Sequence, residues 1–275
     1  SSSSSSSSTS SSSDDESVII YQNNLQLITN ACTLPFTLQT KLVNDHAHLT
    51  KRIYPPPSFL STKSNVVASS NRGITMLHQL PSSYNIIQIM KQYINVKKHT
   101  DLEEFSKQYD HVVKEADKEA IATRTKAELK LRKKKRKKFV TNIVALFDLS
   151  LPLFLLYKEE REQYSSFMSE EVGADGNEEE EDANMKRPSA IYGAEHLLRL
   201  FVKLPLVLSQ YDPNKKKMGG AGKVASDDNS TSSTDDYILM SEEQSQEFAE
   251  LLSELIVFLQ KNLDYFAEKY FAVRV

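Results

Sequence analysis

Hydrophobic residues recur along much of the chain at three- and four-residue steps, the spacing of one face of an α-helix. One such stripe follows Pro35, which suits the first turn of a helix, and it ends at about Arg52. A second helix is predicted over about 83–96. The stripe of the first helix consists of Leu38, Leu42, Val43, His46 and Leu49.

The closing segment carries a strong helix signal. It begins with Ser-Glu-Glu-Gln, in which Ser241 can cap a helix and Gln244 can complete a capping box. A sustained apolar stripe then follows at Phe248, Leu252, Leu255, Leu259, Leu263, Phe266 and Tyr270.

The segment 139–158 is apolar nearly all round, which predicts a helix in the middle of the core. Pro152 lies inside it and lacks the N–H that an α-helix needs, so a kink or break is predicted near Leu149 to Leu151. Signals for strands are weak. Alternation over 25–34 predicts an extended segment, and a short β-hairpin fits near the N-terminal part. The pattern therefore predicts an all-α fold, a mainly helical domain with disordered loops.

Polar stretches divide the chain. Residues 1–17 are almost pure serine followed by acids, which predicts a disordered linker ahead of one domain at 18–275. Within that domain, flexible insertions are predicted near 55–73, 101–138, 170–187 and 212–237. The charged stretch 101–138 is interpreted either as a long exposed helix or as a partly disordered insertion.

The composition limits the disulfide and metal chemistry that the chain can support. The single cysteine, Cys32, excludes a disulfide framework and a cysteine zinc site, and six scattered histidines suggest no metal constellation. We therefore predict no metal, no cofactor and no small-molecule substrate. No run of about 18 apolar residues is present, so no membrane partner is predicted.

Polar residues interrupt the apolar helix that follows Arg187. These polar residues are Tyr192, His196 and Arg199, and they either belong to a core helix or line a binding site. Spacing alone favours the core, because periodicity reports burial before function. Glu195 and Arg199 are also four residues apart, which is sufficient for a local ion pair.

Four segments in order resemble the MRG domain, the module shared by MORF-related gene proteins, Eaf-three and the male-specific-lethal-three proteins. They are LPFTLQTKLVNDH (34–46), LPSSYNIIQIMKQY (80–93), LLYKEEREQY (155–164) and YGAEHLLRLFVKLP (192–205). The last two are the specific ones. The chain departs from the family at His46, where a tryptophan is usual, and at Glu159 and Glu162, where Phe and Pro are favoured.

The resemblance implies a nuclear, non-enzymatic adaptor that regulates transcription inside histone acetyltransferase or histone deacetylase complexes. Its implied partners are subunits of NuA-four-like and Sin-three-type complexes, and chromatin indirectly. The family presents an apolar groove to segments with a Phe-x-Leu-Pro core. The candidate groove residues are Leu42, Val43, His46, Leu49, Tyr157, Arg161, Tyr164, Tyr192, His196 and Leu200. By spacing alone the same residues are core, with Tyr157, Arg161 and Tyr164 in an interhelical hydrogen-bond network.

Two other function classes remain. The basic run is a candidate nuclear localisation signal or nucleic-acid contact, against the interpretation that it is a solvated helix face. It comprises Arg132, Lys133, Lys134, Lys135, Arg136, Lys137 and Lys138. An enzyme would pair Glu160 with His196 as acid and base, but no nucleophile, phosphate loop or metal partner accompanies them. We predict no catalytic residue.

Overall fold

The computed structural model describes most of the chain and bears out the helical prediction. The described residues are 12–51, 74–110, 118–169, 187–209, 241–266 and 269–274. Most of the predicted insertions, 55–73, 170–186 and 212–237, lie outside them, as do residues 1–11 of the predicted linker.

The described residues form eight α-helices and two strands. The helices are α1 (Ser12–Ala31), α2 (Phe36–Thr50), α3 (Ile86–Asp110), α4 (Lys118–Ser150), α5 (Arg161–Ser169), α6 (Pro188–Ile191), α7 (Ala194–Ser209) and α8 (Glu242–Lys261). The strands are β1 (Ile74–His78) and β2 (Tyr270–Arg274), and single 3₁₀ turns lie at Lys158–Glu160 and Leu263–Tyr265. The charged stretch 101–138 thus contributes to α3 up to residue 110 and to α4 from residue 118.

The chain divides into two compact units. The first contains 1–33 and 201–256, and the second contains 34–200 and 257–275. In the first unit, the Tyr21 hydroxyl donates a 2.6 Å hydrogen bond to the carbonyl of Leu208. The predicted capping box of α8 is confirmed, because Ser241 N–H donates to Gln244 Oε1 at 3.1 Å and Gln244 N–H donates to Ser241 Oγ at 3.2 Å.

The extended segment predicted over 25–34 is wrong. Residues up to Ala31 belong to α1, which begins at Ser12 inside the predicted linker. The buried residues of this segment are Asn24, Ile28 and Cys32, which are spaced four residues apart. This helical spacing outweighs the weak alternation, because it places one continuous face in the core.

The predicted short hairpin is also replaced by a different arrangement. Strands β1 and β2 pair antiparallel, with His78 opposite Tyr270 and Leu77 opposite Phe271. The sheet therefore joins two segments of the second unit that are distant in sequence, which a search for local turn residues does not detect.

The break predicted at Pro152 is confirmed. Helix α4 ends at Ser150, and a π-helical turn, Leu151–Leu155, follows it, because proline cannot donate to the α-helical ladder. One face is buried at Phe139, Ile143, Phe147, Leu151 and Leu155. The other face is not, since Leu149 is 58% exposed and Leu153 is 69% exposed, so the prediction that the whole segment lies within the core is wrong.

By length and composition, Thr123–Leu155 is apolar enough to cross a membrane, contrary to the prediction that no segment qualifies. Its buried face already packs in the interior of the protein, and 39% of its most apolar window is buried there. A helix in the core of a protein meets the same criteria of length and composition.

The start of α6 is tied to α4 by a carboxylate. Asp148 accepts hydrogen bonds from the N–H of Ser189 at 2.7 Å and from its hydroxyl at 3.1 Å. The link from α6 to α7 in turn holds the loop before α3, because Ser82 N–H donates to the carbonyl of Ile191 at 2.7 Å and Ile86 N–H donates to that of Tyr192 at 3.0 Å.

Candidate functional site

A buried arginine organises the second unit around α2 and the start of α7. The guanidinium of Arg199 donates to Asp45 Oδ2 from Nε at 3.0 Å and from Nη2 at 2.7 Å. It donates to Glu160 at 2.6 Å from Nη1 and 3.2 Å from Nη2, and to the carbonyl of Leu155 at 3.0 Å from Nη1. A guanidinium has five N–H groups, so its whole donor capacity is used.

Two histidines extend this cluster, which we call the Arg199 network: Asp45, His78, Glu160, His196 and Arg199. His196 Nε2 lies 2.8 Å from Glu160 Oε1, and His78 Nε2 lies 2.6 Å from Asp45 Oδ1. The two imidazole rings are 4.9 Å apart. The network connects α2, β1, the 3₁₀ turn at Lys158–Glu160 and α7.

The two carboxylates are held in their ionised form. Burial alone would raise the pKa of Glu160, but the hydrogen bond from His196 and the charge of Arg199 outweigh burial and hold that pKa below its usual range. Burial also opposes ionisation of Asp45, whose pKa is lowered by His78 and Arg199. Burial and the nearby guanidinium lower the pKa of His196 to about 4, so at pH 7 this ring is neutral and its Nε2–H donates to Glu160.

Aromatic rings cover the network. The guanidinium carbon of Arg199 lies 4.1 Å from the centre of the Tyr157 ring, a cation–π contact. The exposed ring of His46 meets Tyr157 edge-on at 5.1 Å. Tyr270 lies 4.7 Å from His78 and stacks on His48 at 4.8 Å. The network is thus buried beneath rings that reach the surface along α2.

The candidate groove residues fall into two groups. Val43, His46 and Arg161 are exposed, while Leu42, Tyr157 and Tyr164 are partly buried. The other four are buried, which corrects the prediction that they line a surface groove: Leu49, Tyr192, His196 and Leu200. Their side chains face the protein interior, so they have no direct access to a partner.

Two ion pairs predicted from the sequence have different partners in the structure. Arg199 bonds Asp45 and Glu160 rather than its helical neighbour Glu195, because the interior offers two carboxylates in better geometry. The carboxylate pairing predicted for Arg161 belongs to Arg199 instead, and among the described residues no carboxylate pairs with Arg161. Tyr164 approaches Tyr192 at 6.5 Å between ring centres.

Sequence reasoning missed Asp45 and His78. Asp45 shares the buried face of α2 with Leu38 and Leu49, at spacings of seven and four residues. A carboxylate inside such a stripe signals a buried partner, but its partners come from positions 78 and 199 and are not visible locally.

The pair that the enzyme hypothesis would use is in contact but enclosed. Glu160 and His196 side chains are each 1% exposed. Glu160 also accepts the N–H of Tyr157 at 2.9 Å in addition to its bonds with Arg199. The contact therefore serves to join helices, and it offers no open face to a substrate.

His78, Glu160 and His196 also place three ligand-type atoms within 4.8 Å of one another. These residues do not fit a divalent cation, because the guanidinium of Arg199 already occupies both oxygens of Glu160. A metal there would face a permanent positive charge at hydrogen-bonding distance from its own ligand.

The basic run lies on α4 and is not uniform. Its lysines are exposed, but Arg136 is 6% exposed and donates from both Nη atoms to Asp101 of α3. Arg136 is therefore a helix–helix link rather than a nucleic-acid contact, which corrects that part of the prediction. Arg132 pairs with Glu128 at 3.0 Å, four residues earlier.

Comparison with known proteins gives a matching family model and several relatives. The family model for MRG matches residues 60–220, more than half of the chain. Protein MRG1 of Arabidopsis thaliana is 32% identical over 220 residues, which are 80% of this chain and 44% of that protein.

Two further relatives match shorter parts. The chromatin modification-related protein eaf3 of Aspergillus fumigatus is 30% identical over 48% of this chain and 30% of its own length. The NuA4 complex subunit EAF3 homolog of Dictyostelium discoideum is 44% identical over 26% of this chain and 16% of its own. The chain spans less than half the length of each of these relatives. On the match to its family model, the chain belongs to the MRG family.

Proposed function

We propose that the chain is a non-enzymatic adaptor that recruits partner proteins to chromatin-modifying complexes in the nucleus. Relatives named as chromatin modification-related proteins and as a NuA4 complex subunit support this context. Histone acetyltransferase and deacetylase assemblies are the complexes proposed, with transcription regulation as the consequence.

The proposed binding surface is the α2 face, which we define as Leu42, Val43, His46 and Tyr157. The observation that carries it is an exposed valine beside an exposed aromatic ring, on a helix whose opposite side is fixed in place by the bonds of Asp45 to Arg199. Val43 is 65% exposed, and His46 rests on Tyr157, which in turn covers Arg199. Large apolar side chains that remain exposed on a rigid support are typical of helix-lined peptide sites.

The expected ligand is a short peptide with a Phe-x-Leu-Pro core. Burying its Phe and Leu would contribute about 1.5–3 kcal/mol each before the costs of association. His46 supplies an aromatic edge that is smaller and more polar than an indole. We therefore expect the α2 face to accept a polar neighbour beside the phenylalanine.

The test is fluorescence anisotropy with a labelled peptide of this type. Val43→Glu places a charge in the α2 face and is expected to weaken binding at least tenfold, since about 1.4 kcal/mol corresponds to one order of magnitude. Asn44→Glu is the matched control, because Asn44 is exposed and adjacent but lies about 100° around the helix. Equal loss in both variants would contradict the proposal, as would binding that disappears in moderate salt.

A second candidate function is supported by the exposed part of the basic run. Lys133, Lys134, Lys137 and Lys138 all project to solvent from α4, as a nucleic-acid contact or a localisation signal requires. Replacing these four by glutamine should abolish salt-dependent binding to duplex DNA while leaving peptide binding on the α2 face unchanged. If DNA binding persists in this variant, the basic run is not its cause.

A further inference from the structure

A small polar cavity lies beside the Arg199 network, whose His78 and His196 form part of its wall. Its volume is about 60 Å³, and it is bounded by residues 78–83, Gly193, Glu195, His196 and Lys269. We call it the Glu195 cavity. A buried water needs roughly 10–15 Å³ of such a cavity, so this one has room for a group of about four to six heavy atoms.

Two buried acceptors at this cavity lack partners. Among the described residues, no donor reaches Glu195 Oε1 or His196 Nδ1. Both side chains are more than nine-tenths buried, at 6% and 1% exposure. Because Nε2–H of His196 donates to Glu160, the neutral ring leaves a lone pair on Nδ1. Buried polar atoms in folded proteins nearly always have a partner, so this pair points to a bound group that supplies hydrogen-bond donors.

The rim of the cavity has the opposite hydrogen-bonding character. Lys269 and Ser83 are exposed, and the ammonium of Lys269 lies 3.4 Å from the Ser83 hydroxyl. Donors thus stand at the mouth and acceptors at the buried end. A cationic ligand would meet Lys269, and a carboxylate ligand would meet Glu195. A neutral group with N–H at one end and C=O at the other matches both.

We propose that the Glu195 cavity binds a primary carboxamide. Its two N–H groups would donate to Glu195 Oε1 and His196 Nδ1, and its carbonyl would accept from the Lys269 and Ser83 rim. A carboxamide with one attached methylene has four heavy atoms, which agrees with the space available. The side chain of asparagine or glutamine in a partner and a free small amide share this chemistry. The site is separate from the α2 face and does not depend on the peptide proposed there.

Gly193 keeps the space between Ser82 and Glu195 open. A Cβ added at Gly193 would lie 2.6 Å from Ser82 Oγ and 3.2 Å from Glu195 Oε2. Gly193→Ala is therefore a variant that fills the cavity. Adding Ser82→Ala removes the shortest contact while keeping the new methyl group in place.

The experiment titrates three probes of similar size into the protein: propionamide, propionate and n-propylammonium. Binding is followed by the ring ¹⁵N signals of His196 in protein labelled at histidine. Propionamide is expected to shift the Nδ1 signal saturably and to bind at least tenfold more tightly than either charged probe. Glu195→Ala should weaken propionamide at least tenfold, and Gly193→Ala or the Ser82→Ala/Gly193→Ala pair should abolish the shift. Lys269→Met should weaken it several-fold.

A second arm distinguishes the two sources of the amide. A capped tripeptide with central glutamine, ending in an N-methylamide, is compared with its central glutamate counterpart. If the glutamine peptide binds saturably and the glutamate peptide does not, the site is assigned to a protein side chain. If propionamide binds and the glutamine peptide does not, the site is assigned to small amides. A His196 signal that propionamide leaves unchanged, or shifts equally in the filled variant, would overturn the proposal, as would equal binding of the charged probes.

Discussion

The two sides of the His196 ring present opposite electrostatic environments. On the Nε2 side, the Arg199 network satisfies every N–H of the guanidinium, and Glu160 is fully engaged. On the Nδ1 side, Glu195 Oε1 and the ring nitrogen have no hydrogen-bond partner among the described residues. Glu160 and Glu195 are buried to nearly the same extent. Their hydrogen-bond and charge partners, rather than burial, therefore decide which charge is stable in the interior.

The two glutamates show the consequence. The pKa of Glu160 lies below its usual range because His196 and Arg199 outweigh burial. Burial raises the pKa of Glu195 to about 7, with little compensation from its neighbours. A carboxylate whose two oxygens are both bonded to donors stabilises the fold at neutral pH, whereas one with an unbonded buried oxygen costs stability there.

The largest expected effect comes from removing the shared cation. Arg199→Met would leave Asp45 and Glu160 buried side by side without a counter-charge, which is expected to cost about 3–5 kcal/mol of unfolding free energy. Urea denaturation at pH 7 measures it. Arg161→Met is the matched control, since Arg161 is exposed, and it should change stability by less than about 0.5 kcal/mol. Similar losses in both variants would disprove the special role of the network.

The second effect is a pH dependence of opposite sign on the two sides of the ring. The folded pKa of His196 is about 4 against 6.5 in the unfolded chain, so its contribution is lost as pH falls from about 6.5 to 4. The folded pKa of Glu195 is about 7 against 4.5, so its contribution is present below pH 4.5 and lost as pH rises to 7.

Glu195→Gln isolates the contribution of Glu195 to this pH dependence. Relative to wild type, this variant should gain about 2–3 kcal/mol of unfolding free energy between pH 4.5 and pH 8. Urea titrations of both proteins at these two pH values test it. A difference between the proteins that does not change with pH would show that Glu195 does not titrate in this range.

A smaller effect is expected at the other buried arginine. Arg136→Gln removes a bidentate link to Asp101, but Arg132 lies 3.7 Å from the same carboxylate and retains part of the attraction. The expected loss is about 1.5–3 kcal/mol. Lys137→Gln, the exposed neighbour, should change stability by less than about 0.5 kcal/mol. Equal effects at the two positions would make the whole run a solvated face.

The sequence predicted the elements that depend on local signals. The helix after Pro35, the break at Pro152 and the capping box at Ser241 all follow from spacing and backbone chemistry within a few residues. The β1–β2 sheet was not predictable in this way, because its partners are distant in sequence.

The site was predicted only in part for the same reason. The motifs pointed to Tyr192, His196 and Arg199 on one helix and to Tyr157, Arg161 and Tyr164 on another. Their periodicity did not reveal which atoms of the two groups face one another. Asp45 joins the cluster through contacts that span more than a hundred residues. Arg136 shows the converse: a run of like charges conceals one residue that is buried and paired.

The central claim is that partner peptides dock on the α2 face above the Arg199 network. Its most direct test is paramagnetic broadening of methyl signals by a spin-labelled Phe-x-Leu-Pro peptide. We expect broadening centred on Leu42 and Val43, with Leu102 of α3 and Leu131 of α4, which are also exposed, left sharp. Broadening centred on Leu102 or Leu131 with Val43 unaffected, or a peptide that broadens no methyl signal, would contradict the account.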